Sequence, residues 1–290
     1  MREQKSVRLG VEIGDHSLAH QDYLDFIRTH YDVERLEFVL IYTKPDDIPE
    51  DLFYEWAEFF KEHKIDFAFL YTLQQRREMG KPGHLTPQIL KRIREIAGDY
   101  FIGDMIGETG GNASWPKGYF SKSPQLKNRL PQQDLPDMQA ARDNYVSYVG
   151  QICREERELG VETVLAVEAT ALSPYNYEAG VDAVFMETMC GNPEQMLASV
   201  RGAARAYGKP IWGSHIAHEW YGGLRQDDPL KYQRMKLAYR YAYLAGANYI
   251  YSESGDCGIY SYGYRYEPDD AHCAAYRDVW TEFSDFLCLI

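Results

Sequence analysis

The feature that most constrains this chain is a repeat of pattern rather than of sequence. Short apolar, strand-like runs recur along it, and most of them end near a carboxylate or an imidazole. They are Val7–Ile13 (VRLGVEI), Leu36–Tyr42 (LEFVLIY), Ile65–Tyr71 (IDFAFLY), Tyr100–Glu108 (YFIGDMIGE), Val164–Ala169 (VLAVEA), Val181–Met189 (VDAVFMETM), Pro210–His218 (PIWGSHIAH) and Ala247–Ser254 (ANYIYSES). Leu36–Tyr42 is apolar almost throughout, as expected of a strand buried on both faces. Between the runs lie segments with apolar residues at helical spacing: 17–31, 49–63, 86–97, 138–159, 192–206, 230–244 and 270–287. Only a short connection separates the fifth and sixth runs. Alternation of this kind predicts a parallel sheet with helices outside it. Eight strands in 290 residues fit a closed (β/α)8 TIM barrel, with residues 1–290 as a single domain.

An open doubly wound sheet would carry a Gly-rich phosphate turn after its first strand. GVEIGDHS lacks that spacing, and no GxxxxGK[ST] occurs. Net charge is -13, with a sequence pI near 5.1, which argues against nucleic acid or an anionic membrane as partner. No apolar run is long enough to span a bilayer. The N-terminus has no signal-peptide pattern, so the expectation is a cytoplasmic protein. Cys153, Cys190, Cys257, Cys273 and Cys288 are widely spaced, without CxxC or zinc spacing, and read as reduced thiols. The chain stops abruptly on the apolar FLCLI. That ending is compatible with further domains beyond Ile290 in a longer protein, and a homo-oligomer stays open.

In a barrel, every strand delivers its C-terminal end to one face, where active sites are built. Reading off that face gives Glu12, Glu108, Glu168, Glu187, His215, His218, Glu219 and Glu253, with Trp115, Trp220 and Tyr251 nearby. Acids crowded together push their pKa values apart, which is the condition for an acid and a base to coexist at one pH. Two chemistries use such a rim. In glycoside hydrolysis, one carboxylic acid protonates the leaving oxygen while a second carboxylate attacks or activates water. The surplus acids, His and Trp then bind the sugar, and no cofactor or metal is needed. Alternatively, Glu168, Glu187, His215 and Glu253 form a carboxylate-rich set for a divalent ion in a sugar isomerase or epimerase. A non-catalytic carbohydrate-binding barrel is the third reading. HIAHE does not have the HExxH spacing of a zincin, and no GxSxG supports a serine nucleophile.

Tyr100–Trp115 (YFIGDMIGETGGNASW) is the stretch richest in signal. A strand closes on Glu108, Gly110 and Gly111 follow, and a polar, Pro- and Gly-rich loop extends from Thr109 to about Pro136. Loops of that length in compact domains are usually functional or disordered. A carboxylate closing strand four, with more at strands seven and eight, resembles the large clan of retaining (β/α)8 glycoside hydrolases. The clan carries Asn-Glu on strand four, where this chain has Gly107-Glu108. Within the clan, IGETGG and YIYSESG look most like the family 164 β-mannosidases. The resemblance implies Glu108 as acid/base and either Glu253 or Glu219 as nucleophile, Glu253 being favoured.

Overall fold

The computed structural model describes residues 7–14, 18–43, 48–70, 85–114, 134–188, 192–217, 229–253, 255–256 and 271–289. Eight strands run in chain order: β1 Arg8–Ile13, β2 Phe38–Tyr42, β3 Asp66–Leu70, β4 Phe101–Glu108, β5 Val164–Glu168, β6 Ala183–Glu187, β7 Gly213–Ile216 and β8 Tyr249–Ser252. Each pairs in parallel with the next, and β8 pairs with β1, so the sheet closes into the expected barrel. Its described α-helices are α1 Tyr23–His30, α2 Glu50–Glu62, α3 Pro87–Ala97, α4 Thr109–Ser114, α5 Met138–Glu158, α6 Ser173–Ala179, α7 Pro193–Ala206, α8 Pro229–Ala245 and α9 Ala271–Cys288. Local chemistry explains where several begin. Thr86, Asp137 and Asn192 each accept a hydrogen bond from a backbone N–H of the first turn that follows, at 3.2, 2.8 and 2.9 Å. Proline follows Thr86 and Asn192, where its missing N–H is not needed.

Strand alternation divides the buried side chains into two sets. One fills the lumen, with Phe38, Leu40, Leu165, Phe185, Tyr249 and Tyr251 among its members. The other lies between sheet and helices and includes Val39, Val164, Ala166, Val184 and Ile250. In the lumen, the Phe38 ring centroid lies 5.2 Å from those of both Tyr249 and Tyr251, and 6.2 Å from that of Phe185. Gly10 and Gly213 make room for these rings: a Cβ on Gly213 would stand 2.4 Å from the Phe185 ring. Arg8 and Asp66 form an ion pair at the opposite, N-terminal end, where the Tyr249 hydroxyl also donates to Asp66 at 2.9 Å. The lumen is therefore a packed plug, and open chemistry is confined to the C-terminal rim.

Three details differ from the expectation. The connection between β5 and β6 holds a helix, α6, whose Tyr177 is buried and whose hydroxyl accepts from Val184 N at 3.3 Å. The segment after Glu108 starts as helix α4 rather than as loop. Cys273 is disulfide-bonded, which corrects the reading of five reduced thiols, whereas Cys153 and Cys288 are free. None of the described helices is long and apolar enough to cross a membrane.

Candidate active site

Counting in twos along each strand identifies the side chains that reach the rim from inside. Glu12 shares the face of Gly10 on β1, Glu187 shares that of Phe185 on β6, and His215 and Tyr251 stand opposite one another on β7 and β8. Glu187 pairs in register with His215. These four side chains are almost completely buried. The Nδ1 atom of His215 lies 2.9 Å from the Tyr251 hydroxyl and 3.8 Å from Glu12 Oε2, and its Nε2 lies 3.6 Å from Glu253 Oε2. Burial, reinforced by Glu12, Glu187 and Glu253, pushes the Tyr251 hydroxyl well above its ordinary pKa, so it keeps its proton. When that hydroxyl donates to Nδ1, the neutral imidazole carries its own proton on Nε2, facing Glu253.

Glu253 stands one residue beyond β8, and its backbone is fixed from three sides. Its N–H donates to Ile216 O at 3.1 Å, and its carbonyl accepts from the Tyr276 hydroxyl. Gly255 N donates to Glu12 O at 2.7 Å, and the Tyr31 hydroxyl donates to Gly255 O at 2.7 Å. A Cβ on Gly255 would lie 2.6 Å from Glu12 O, so only glycine lets this turn close onto the end of β1. The Glu253 side chain keeps 14% of its surface exposed. Its backbone is held in place, and its side chain stays partly open to solvent.

Glu108 reaches the lumen by a different route. Met105 stands opposite Leu165 and Glu108 opposite Val167, so β4 carries one residue more than β5 over that stretch. Gly107, at φ 77°, adopts the left-handed conformation that such a shift requires. Without the extra residue, counting in twos from Met105 would turn Glu108 to the helix side. With it, Glu108 shares the face of Val167, a lumen residue, and is half-buried.

Glu168 goes the other way. It shares a face with Val164 and Ala166, which pack among the helices, and it is fully buried. Thr170 donates to Oε1 through its N–H at 2.8 Å and through its hydroxyl, and Asn176 Nδ2 donates to Oε2 at 2.6 Å. Tyr145 OH lies 3.4 Å from the same oxygen. Glu168 therefore does not join Glu187, His215 and Glu253 around one point, because the two-residue period of β5 turns it outward. The four-ligand metal set is corrected on that ground. Among the described residues, no group of three or more His, Cys, Asp or Glu side chains is arranged to hold a metal ion.

Trp115, His218, Glu219 and Trp220 lie outside the described residues. Glu12, Glu108, Glu187, His215, Tyr251 and Glu253 share the lumen side of the rim. Sequence reasoning missed Thr109, Tyr145 and Asn176, which surround Glu168. The outward direction of Glu168 was present in VLAVEA as plain alternation with Val164 and Ala166.

No protein-family model matches this chain, and no curated protein matches it. Similar solved structures share the barrel. One is a polyextremophilic β-galactosidase from the Antarctic haloarchaeon Halorubrum lacusprofundi, with a TM-score of 0.58 at 13% identity. That match covers 96% of this chain, which spans 58% of the length of the galactosidase. A second, from Bacteroides thetaiotaomicron, is provisionally titled an α-L-fucosidase. It has a TM-score of 0.51 at 13% identity, covering 98% of this chain and 94% of the other. At such identities the likeness establishes the (β/α)8 fold.

Proposed function

We propose that this chain is a glycoside hydrolase that cleaves a β-linked sugar with retention of configuration, through two carboxylates. The observation that carries the reading is that Glu108 and Glu253 both belong to the lumen side of the rim. One gets there through the register shift at Gly107, the other through the clamped turn after β8. Glu108 acts as acid/base. Glu253 is the nucleophile, with Glu219 as the competing candidate. The imidazole of His215 stands beside this carboxylate, with Nε2 3.6 Å from Glu253 Oε2, so a ring nitrogen flanks the proposed nucleophile. Glu12, Glu187, His215 and Tyr251, with Trp115, His218 and Trp220, would bind the sugar through hydroxyl contacts and ring stacking. The two barrels above that are titled as glycosidases agree with this reading at the level of fold, which by itself does not set function. A β-mannoside is the substrate that the resemblance in IGETGG and YIYSESG favours.

Glu108→Gln should lower turnover on alkyl glycosides by roughly 10² or more, and on aryl glycosides with good leaving groups far less. Equal losses on both would remove the acid/base role. Glu253→Gln should abolish hydrolysis of both kinds of substrate, and Glu219→Gln should do so instead if the nucleophile is there. NMR of the first-formed product should show the anomeric configuration of the substrate. Chelation with EDTA should leave activity intact, and a loss restored by Mn or Mg would sink the two-carboxylate reading.

A further inference from the structure

Behind the exit of β4 lies a polar cluster that the two-carboxylate reading leaves without a task. Thr109, the residue next to Glu108, is fully buried. Its hydroxyl donates to Asn176 Oδ1 at 2.9 Å and accepts from the Tyr145 hydroxyl at 2.9 Å. Asn176 in turn donates to Glu168 at 2.6 Å, and Thr170 holds the second oxygen of that carboxyl. Tyr145 comes from α5, Asn176 from α6 and Glu168 from β5. Two helices thus meet on the first residue after Glu108, and Glu168 of β5 anchors their side chains from behind. Gly110 completes the fit, since a Cβ there would stand 2.2 Å from Glu168 Oε1 and 2.5 Å from Thr170 Oγ1.

Buried polar networks are rigid when their members satisfy one another, because each bond fixes the donor or acceptor of the next. This one grips Thr109 from the helix side, while pairing with Val167 grips Glu108 itself. Two clamps on successive residues oppose any relaxation of the register shift at Gly107, and that shift decides which way Glu108 faces. We propose that Thr109, Tyr145, Asn176 and Glu168 are positioning residues that hold the Glu108 carboxyl at its place on the rim. Its catalytic consequence rests on Glu108 being the acid/base; its geometric content does not. A displacement of about 1 Å at a reacting group can cost on the order of 10²-fold in rate.

Thr109→Val removes the hydroxyl and keeps the shape, Thr109→Ser keeps the hydroxyl, and Tyr145→Phe cuts the same link from α5. Two readouts are needed: the ¹³C-carboxyl titration of Glu108, assigned by its loss in Glu108→Gln, and kcat and KM on alkyl glycosides. Thr109→Val and Tyr145→Phe should move the Glu108 midpoint by about half a pH unit or more. They should also lower kcat roughly tenfold with KM changed by less than about twofold. Thr109→Ser should restore both. A midpoint and kcat equal to wild type in Thr109→Val and Tyr145→Phe, with only Tm reduced, would overturn the proposal and leave the cluster purely structural. If Glu108→Gln shows no leaving-group dependence, the acid/base assignment fails, and the carboxyl titration alone decides whether the cluster positions Glu108.

Discussion

Burial holds the Glu168 carboxyl above the ordinary glutamate value of 4.5, and the hydrogen bonds from Thr170, Asn176 and Tyr145 pull the other way without prevailing. Its pKa is raised in the folded state, so the folded protein binds this proton more tightly than the unfolded chain. The resulting stability is fully present below the ordinary glutamate value and is lost as pH rises through the higher folded value. Glu168→Gln cannot titrate. The stability of that variant minus that of wild type should therefore increase with pH across this window. Urea unfolding at a series of pH values measures it, and a difference that stays flat would show that Glu168 does not titrate in the range. Tyr251 behaves in the same direction for a related reason. Burial, with the nearby carboxylates, raises its pKa, so its hydroxyl keeps the proton it offers to His215 Nδ1 whenever that nitrogen is unprotonated.

β4 owes its shape to two glycines. Gly103 sits at φ 143°, and a Cβ there would lie 2.2 Å from Thr163 O; Gly107 sits at φ 77°. Each accompanies a register shift, the first against β3 and the second against β5. Gly107→Ala should cost about 1–2 kcal/mol, the penalty for placing an L side chain in the left-handed region. It should also cost activity out of proportion to stability, because relaxing the shift turns Glu108 away from the lumen. A variant that loses stability but keeps wild-type kcat would separate the shift from Glu108's orientation. The same strand shows where sequence reading stops. A carboxylate at the end of β4 was legible, but its direction depends on one inserted residue, and IGETGG does not say which residue is extra. On β5 the direction of Glu168 was legible, since uninterrupted alternation decides it. Helix α6 was not, because seven residues are too few to show a helical period.

Closure of the barrel was the most legible property of the whole molecule, because eight apolar runs separated by amphipathic segments leave few other ways to bury both sheet faces. The rim's electrostatics were legible in kind. The partition of its acids between lumen and helix layer was legible where alternation runs unbroken, as at Glu168, and hidden where a register shift intervenes, as at Glu108. Cysteine pairing was the least legible, as connectivity is spatial and widely spaced cysteines carry no local signature. Cys273, fully buried in the first turn of α9, is disulfide-bonded. Five cysteines less the two of one disulfide leave three thiols to react in the unfolded, unreduced chain. In the native protein exposed Cys288 should react readily, while burial pushes the Cys153 thiol up to about 12 and should keep it inert. Reduction should lower stability by about 2–4 kcal/mol through the greater freedom of the unfolded chain. Cys273→Ser should show the same loss without reductant and no further loss with it. Five reactive thiols in unreduced, unfolded protein, or a melting temperature indifferent to reductant, would show that the bond does not form in solution.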